Sequence, residues 1–428
     1  MDAFEARRDG REGPEAIAAA HARCAALGQA TNAFVELRTP DAGGVIPYAI
    51  KDMLDVAGRP PTLGLDHAPA APPTVTAPLI ARLEAAGGRA VAFTQMTPLA
   101  FDPSGANRWR GRPINPWNAE RICGGSSSGS AVAVAAGCVP LAIGSDTAGS
   151  LRIPAHCCGV SSWKATRGLL PLEGVMPLAP SLDTLGFLGR DVHLLERVST
   201  LFTTHGRAAP RSLRVGWDLV EACDDDIREV FAAAVSTIGR MGHTFRPAAL
   251  GPLVAATDQP VLELLLGESA RSLASIPAAT DDPLFATRLA KGRALGESHL
   301  AACRAALKAA EPLAEALFQD GEAVLLPAMP CTTPTVADCD PQTPGFSGRT
   351  LYRLSAFCRF ASGLGLPVVT FPIGRDRNGM PVGAQMVGAQ GSDRALLALV
   401  HHIQSLSNGH RTRPETEAAD TTSKERIA

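Results

Sequence analysis

Residues 124–136 read GGSSSGSAVAVAA, and residues 144–152 read GSDTAGSLR. A flexible linker would have polar residues on both sides, whereas the first stretch continues directly into an apolar run of small residues. It therefore predicts a loop that enters a buried helix. The second stretch follows Leu141–Ile143, which is typical of a buried strand. These two small-residue loops beside apolar elements are the most informative feature of the chain.

Around the two loops, the hydrophobic pattern alternates between helix and strand. Spacings of three and four residues predict a helix over 14–37, and a strand follows at 45–50. A helix at 79–86 and a strand at 90–94 form an αβ unit of a buried sheet. Further predictions are strands at 214–217, 324–327, 367–370 and 382–387, a helix at 225–241 and a pair of helices over 284–317.

This alternation predicts an α/β fold, with a mixed, mostly parallel twisted sheet that is covered by helices on both faces. We expect one large domain over residues 1–410, because no change in composition marks a linker. Residues 411–428 carry many charges and few apolar side chains, so we expect a disordered tail there.

The composition excludes several classes of protein. The 428 residues are 46% hydrophobic and 19% charged, which argues against disordered and collagen-like chains. A net charge of -2 gives no field that would hold a nucleic acid or an anionic membrane. Residues 1–15 lack the apolar segment of a signal peptide, and the apolar run 131–143 is shorter than the ~20 residues of a membrane span. We therefore expect a cytoplasmic protein.

The glycine- and serine-rich stretch allows more than one chemistry. It lacks the Gly-Lys-Ser/Thr ending of a phosphate-binding P-loop. Residues 125–129 match the G-x-S-x-G pattern of a Ser-His α/β-hydrolase, with Ser127 at the centre and His401 or His402 as a possible base. That pattern requires a preceding strand, and the residues before Gly124 are typical of a loop. The alternative is a serine activated by a neutral lysine, for which Lys51 is well placed just after the strand at 45–50.

Five segments in this order resemble the amidase signature family. They are Ile50-Lys51-Asp52, the stretches 124–130 and 144–152, SLDTLG at 181–186 and GMPVG at 379–383. The resemblance covers residues 32–404, with the signature core at about 90–190, and in length the chain is most similar to small-amide members such as malonamidase. It implies hydrolysis of the C–N bond of a small carboxamide through a serine acyl-enzyme, with release of ammonia or an amine. It implies no metal and no organic cofactor.

The resemblance also assigns roles to individual residues. It makes Ser150 the nucleophile, Ser126 the bridging serine and Lys51 the general base, and it implies a cis peptide bond between Gly125 and Ser126. Lys51 must then be neutral, so its pKa must lie well below the reference value of about 10.4.

The loop at 147–150 has the residues that an oxyanion hole needs. Its backbone N–H groups carry little side-chain bulk, so they can approach a developing negative charge closely. The expected donors are those of Thr147, Ala148, Gly149 and Ser150. Supporting roles are expected for Asp146 and Arg152, which flank the loop and can pair, and for Gly125 and Ser127 beside the bridging serine.

The substrate-binding residues are less clear from the sequence. The loop at 101–117 is our candidate for a substrate funnel, with Trp109, Arg110 and Arg112 as binding residues. An arginine there would pair with a substrate carboxylate, and solvated surface charge is the alternative. The chain departs from the family pattern at Thr94–Pro98, at Ser161–Arg167 and at Ser362, where many members have asparagine.

Two alternatives to a free-standing amidase follow from these observations. One is a subunit of an amidotransferase or hydrolase assembly with the same fold. The departures from the family pattern fit a tRNA-dependent amidotransferase subunit less well than a free-standing amidase. The other is the Ser-His hydrolase that uses Ser127. We expect His156 and the cysteines to be ordinary packed residues, a small amide as the binding partner, and a homodimer as the common state of soluble enzymes.

Overall fold

The computed structural model describes residues 13–39, 43–203, 212–276, 283–319, 322–406 and 414. The predicted tail at 411–428 lies outside these residues except at position 414. The strands are β1 (Phe34–Leu37), β2 (Ile46–Lys51), β3 (Gly88–Thr94), β4 (Leu141–Asp146), β5 (Ser161–Lys164), β6 (Thr184–Gly189), β7 (Leu213–Val215), β8 (Phe245–Pro247), β9 (Ala323–Pro327), β10 (Val368–Arg375) and β11 (Pro381–Val387).

The helices lie between these strands and after the last of them. They are α1 (Pro14–Thr31), α2 (Pro78–Ala85), α3 (Ser128–Ala135), α4 (Arg152–Cys158), α5 (Val192–Ser199), α6 (Trp217–Val220), α7 (Asp225–Arg240), α8 (Gly251–Ser272), α9 (Pro283–Arg293), α10 (Glu297–Leu317), α11 (Val336–Cys339), α12 (Gly348–Leu354), α13 (Arg359–Gly363) and α14 (Asp393–Leu406). None of the described helices is long and apolar enough to cross a membrane.

The strands of the described residues form one sheet in the order β1-β3-β2-β4-β6-β5-β10-β11-β9-β7-β8. The prediction of a single mixed α/β sheet is confirmed. The sheet is less parallel than expected, because only β2 with β3 and β4, and β7 with β8 and β9, pair in parallel. Strands β10 and β11 are joined by a turn of five residues, which is too short for the crossover that a parallel pair needs.

Both faces of the sheet are buried under helices. On β2, Tyr48 and Ile50 point into one core with side chains of α2 and α14, while Ala49 points into a second core with α1 and α3. Successive side chains of a strand face opposite ways, so all six residues of β2 are buried. The small residues of α3 let this helix lie close to the centre of the sheet, and its N-terminus brings the glycine- and serine-rich loop to the end of β2.

Two predicted elements differ from the structure. The helix predicted over 14–37 ends at Thr31, because Asn32 adopts a left-handed conformation (φ 46°) and the next residues pair with β3 as β1. The strand predicted at 214–217 ends at Val215, because Trp217 begins α6.

Candidate active site

Lys51 is the last residue of β2, and its side chain is completely buried. Its Nζ lies 2.7 Å from Ser126 Oγ, 3.0 Å from Ser127 Oγ and 2.8 Å from Ser145 Oγ. Burial lowers the pKa of Lys51 to about 7, although the negative charges of Asp146 and Asp183 act in the opposite direction. A large share of Lys51 is therefore neutral near pH 7, as a lysine base requires.

The glycine- and serine-rich loop places Ser126 against this lysine. The Gly125–Ser126 peptide bond is cis, as the resemblance implied, and the Ser126 carbonyl accepts a hydrogen bond from Thr97 N at 3.2 Å. A Cβ atom at Gly125 would lie 2.6 Å from the carbonyl oxygen of Asp102. Only glycine fits at position 125, because the opposing atom belongs to the backbone and cannot move aside easily.

Ser150 lies in the second loop, beside the first. Its carbonyl oxygen accepts a hydrogen bond from Ser127 N at 3.3 Å, which ties the two loops together. The residue is partly exposed, and its Oγ has no hydrogen-bond partner among the described residues. A partly exposed, unpartnered hydroxyl beside the loop that carries the buried Ser126 is suited to nucleophilic attack.

The loop at 147–150 differs from the expectation at one residue. Gly149 N donates a hydrogen bond to Asp146 Oδ1 at 2.9 Å, so the carboxylate already occupies this N–H. In the described part of the chain, the backbone N–H groups of Thr147, Ala148 and Ser150 have no acceptor. These three N–H groups are therefore available to an acceptor from outside the chain.

A buried ion pair supports the same loop from behind. Arg152 donates to Asp146 through Nη2 at 2.7 Å and through Nε at 3.0 Å, and both side chains are fully buried. Burial alone would raise the pKa of Asp146, but the adjacent guanidinium of Arg152 lowers it to about 2. The expected pairing of these two residues is thus present. Ser362 completes the network, because its Oγ accepts from Arg152 Nη2 at 2.7 Å.

A cavity of about 170 Å³ opens beside Ser145 and Thr147. Apart from these two residues, its walls come from Met53 and from the segment between β5 and β6. The lining residues in that segment are Leu172, Val175, Met176, Pro177, Pro180 and Asp183, with Thr184 and Leu185 of β6. The sequence reasoning missed Ser145 and this segment. The motif SLDTLG at 181–186 ends this segment and is the signal in the sequence that marks it.

The three predicted substrate-binding residues do not line this cavity. Arg110 donates through Nε to the carbonyl of Leu65 at 2.6 Å, and Arg112 donates through Nη2 to that of Ala119 at 2.7 Å. The indole of Trp109 lies under the guanidinium of Arg108, 4.4 Å from its carbon. The two predicted arginines therefore hold neighbouring loops together through backbone carbonyls.

The surroundings of Ser127 do not match a Ser-His hydrolase. No strand precedes Ser127, and its Oγ contacts Lys51 Nζ and Ser145 N. His401 Nδ1 pairs with Glu196 at 2.7 Å instead. His156 is a packed residue whose Nδ1 accepts from Gly383 N at 3.1 Å, and burial lowers its pKa to about 4.

Comparison with known proteins agrees with this geometry. The Amidase family model matches residues 15–397. The chain is 30% identical to 2-amino-5-chloromuconic acid deaminase of Comamonas testosteroni, over 85% of this chain and 82% of the relative. It is also 30% identical to mandelamide hydrolase of Pseudomonas putida, over 85% of this chain and 78% of the relative.

A solved structure of an amidase superimposes on this chain with a TM-score of 0.84 and 28% identity, covering 95% of this chain and 99% of the other. The family model extends over nearly the whole length, and it includes the lysine and both loops of the site. This chain therefore belongs to the Amidase family and is a hydrolase that acts on amide C–N bonds.

Proposed function

We propose that the chain hydrolyses a small uncharged carboxamide through an acyl-enzyme on Ser150, with Lys51 as the base and Ser126 as the bridge between them. The observation that carries this proposal is the buried Lys51 Nζ at 2.7 Å from Ser126 Oγ, with a pKa of about 7. A lysine that is neutral near physiological pH can accept a proton from a hydroxyl, which a charged lysine cannot do.

The reaction then proceeds in two halves. Neutral Lys51 takes the proton of Ser126 while Ser126 takes that of Ser150, whose Oγ attacks the amide carbonyl. The carbonyl oxygen becomes negatively charged against the N–H groups of Thr147, Ala148 and Ser150, and such donors contribute about 2.7–4 kcal/mol each to the transition state. The relay returns the proton to the departing ammonia or amine. Water then attacks the ester carbonyl and gives a proton to the same relay. The bond between the carbonyl carbon and Ser150 Oγ breaks, the relay returns the proton to Ser150 Oγ, and the acid is released.

The cavity beside the site suggests the class of acyl group. Its volume of about 170 Å³ is near that of an apolar protein cavity known to hold benzene, about 150 Å³. Most of its walls are apolar, none of the lining residues is basic, and Asp183 is acidic. A substrate carboxylate would find no positive charge there. We therefore propose a branched aliphatic or small aromatic acyl group without a carboxylate.

Kinetics of two serine variants test the nucleophile. Ser150→Ala should lower kcat/KM by at least about a thousandfold, because no other group forms the acyl-enzyme. Ser128→Ala is the matched control: the same loop loses a hydroxyl that is buried and makes no hydrogen bond to Lys51, so kcat/KM should stay within a few-fold of wild type. A Ser150→Ala enzyme as active as this control would overturn the assignment.

Ammonia release from matched amides tests the substrate class. Isovaleramide and malonamate have the same shape, but malonamate carries a carboxylate where isovaleramide has an isopropyl group. We expect isovaleramide and benzamide to be cleaved with a kcat/KM at least about tenfold above that of malonamate. A preference for malonamate would exclude the proposed acyl group and leave the amide chemistry intact.

Two further proposals concern the whole protein rather than its site. We propose that it works in the cytoplasm, because all ten cysteines are free thiols and the cytoplasm keeps thiols reduced. We also propose a homodimer, which is the commonest assembly of soluble enzymes. Light scattering after size-exclusion chromatography checks the second proposal, because a dimer has twice the mass of the 44.5 kDa chain.

A further inference from the structure

We propose that Glu263, His299 and Cys303 form a zinc-binding site between α8 and α10, separate from the amidase site. Glu263 lies on α8, whereas His299 and Cys303 are four residues apart on α10 and so share one face of that helix. The two helices pack against each other and bring the three side chains together.

The donor atoms converge on a single oxygen. Glu263 Oε2 lies 2.8 Å from His299 Nε2 and 3.3 Å from Cys303 Sγ, and the three ligand atoms all lie within 4.8 Å of one another. Gln259 Nε2 donates to the other carboxylate oxygen at 2.7 Å, which fixes the orientation of the carboxylate. Supporting hydrogen bonds of this kind are typical of metal sites.

The chemistry of the donors favours zinc. An imidazole nitrogen, a carboxylate oxygen and a thiolate sulfur are the ligands that Zn²⁺ prefers, whereas Mg²⁺ and Ca²⁺ require oxygen ligands. On binding, the thiol proton of Cys303 is released to solvent, and the Zn–S and Zn–N bonds replace the hydrogen bonds to Glu263. Water takes the fourth position from the side of His299, whose side chain is 46% exposed.

The charges nearby do not oppose a cation. Arg304 is paired with Glu297 and, at 3.2 Å, with Glu268, while Arg271 lies 3.6 Å from Glu297. Each of these two guanidinium groups therefore faces a carboxylate. Bound zinc would link α8 to α10, and Glu268 of α8 accepts a hydrogen bond from Ser181 N next to the cavity wall. We expect zinc to raise the melting temperature of the protein.

A second cluster offers a comparison within the same chain. His193, Glu196 and His401 also bring three donor atoms within 4.8 Å of one another, between α5 and α14. This cluster contains no sulfur. A cobalt probe therefore distinguishes the two, because only the site with Cys303 produces the near-ultraviolet charge-transfer absorption of a thiolate bound to cobalt.

Titration of the metal-free full chain with Co²⁺, followed by displacement with Zn²⁺, tests the proposal. We expect one equivalent to produce the thiolate absorption and zinc to remove it. Cys303→Ala should abolish the absorption, and His299→Ala and Glu263→Gln should weaken binding at least about tenfold. His193→Ala is the control and should bind as wild type does.

Thermal unfolding provides a second readout. Zinc should raise the Tm of the wild type and of His193→Ala, and it should leave that of Cys303→Ala unchanged. The proposal is overturned if cobalt gives no thiolate absorption, if the absorption persists in Cys303→Ala, or if His193→Ala alone loses metal binding. Neither the cobalt absorption nor the Tm depends on amidase activity, so both test the zinc site independently of the proposed function.

Discussion

Lys51 is held by three hydroxyl groups, which can satisfy both of its protonation states. A charged amine donates three hydrogen bonds, and Ser126, Ser127 and Ser145 offer one acceptor each. A neutral amine donates two and accepts one, and a serine hydroxyl can reverse its direction to become the donor. The same three hydroxyl groups therefore stabilise the lysine before and after it takes a proton.

The first prediction concerns the pH dependence of activity. Because neutral Lys51 is the active form and its pKa is about 7, kcat/KM should rise with pH and level off above a midpoint near 7. A pH–rate profile between about pH 5.5 and 9 measures this midpoint. A profile that is flat or falls over this range would contradict the role of Lys51.

Lys164 is the control for that profile. Burial, aided by the charge of Arg152, also lowers the pKa of Lys164 to about 7, but its Nζ donates to the carbonyl oxygen of Leu366 at 2.8 Å and contacts no serine. We expect Lys164→Met to keep the midpoint of the wild type. If the midpoint disappears in this variant, the titration belongs to Lys164 and not to Lys51.

The second prediction concerns Ser145. Ser145→Ala removes a hydrogen bond that stabilises the charged amine of Lys51 more than the neutral amine. The pKa of Lys51 should therefore fall, and the midpoint of the pH–rate profile should shift below 7. Ser145→Thr keeps the hydroxyl and should restore the wild-type midpoint. If both variants share the wild-type midpoint, Ser145 does not set the pKa of the lysine.

At the scale of elements, α3 positions the site by its close contact with the sheet. A Cβ at Gly129 would lie 2.4 Å from the carbonyl oxygen of Ala33 and 2.6 Å from Gln95 N. Both opposing atoms are backbone, so they cannot yield as a flexible side chain would. The glycine at position 129 lets α3 pack against the backbone of Ala33, just before β1, and of Gln95, just after β3. This contact holds the loop with Ser126 at the end of β2.

The third prediction follows from this contact. Gly129→Ala should lower the free energy of unfolding by about 1–3 kcal/mol, because the added methyl group overpacks the contact. Gly239→Ala is the matched control, since that glycine is also helical and its Cβ would meet only Phe245 at an ordinary 3.6 Å. It should be neutral or stabilising by up to about 1 kcal/mol. Urea unfolding measures both, and equal effects would contradict the account.

The elements near the site were largely predictable from the sequence, and those far from it were less so. Apolar runs with clear ends predicted β2, β3 and α3 within a few residues. The helix α8 was missed, because Pro260 and Gly267 interrupt its pattern and its stability comes from packing against α10. The occupied N–H of Gly149 could not be predicted either, since it depends on where Asp146 points in the folded chain.

At the scale of the whole molecule, two buried lysines link stability to pH. The folded pKa of both Lys51 and Lys164 is about 7, below the ordinary value of 10.5. Between these values the unfolded chain binds more protons than the folded one, so stability rises with pH. Below pH 7 both states are protonated, and the full cost of burying two charges is present.

The fourth prediction is the size of this effect. Between pH 7 and 8 the free energy of unfolding should rise by about 1 kcal/mol per pH unit for each lysine. This window lies above the titration of His156 and below the ordinary pKa of the buried cysteines, 9.0. Urea unfolding at both pH values measures the slope, which Lys164→Met should reduce by about half. Stability that falls across the window would contradict the lowered lysine pKa values.

The single sheet explains why residues from distant segments share one site. Lys51 ends β2 and Asp146 ends the neighbouring parallel strand β4, so both lie at the carboxyl edge of the sheet where α/β proteins place their ligands. The order of motifs predicted this convergence. The cavity wall was not predictable in detail, because residues 172–180 form no regular element whose direction the sequence pattern could reveal.

The identity of the serine that becomes acylated is the central claim. Reaction with a fluorophosphonate, followed by mass spectrometry of the digested protein, measures it directly, since the reagent remains on the activated serine. We predict one label per chain on the peptide with Ser150, no label in Ser150→Ala, and slower labelling in Lys51→Ala. A label on Ser127 would make that serine the nucleophile and contradict the assignment of Ser150, and an intact chain that takes no label would contradict the serine acyl-enzyme altogether.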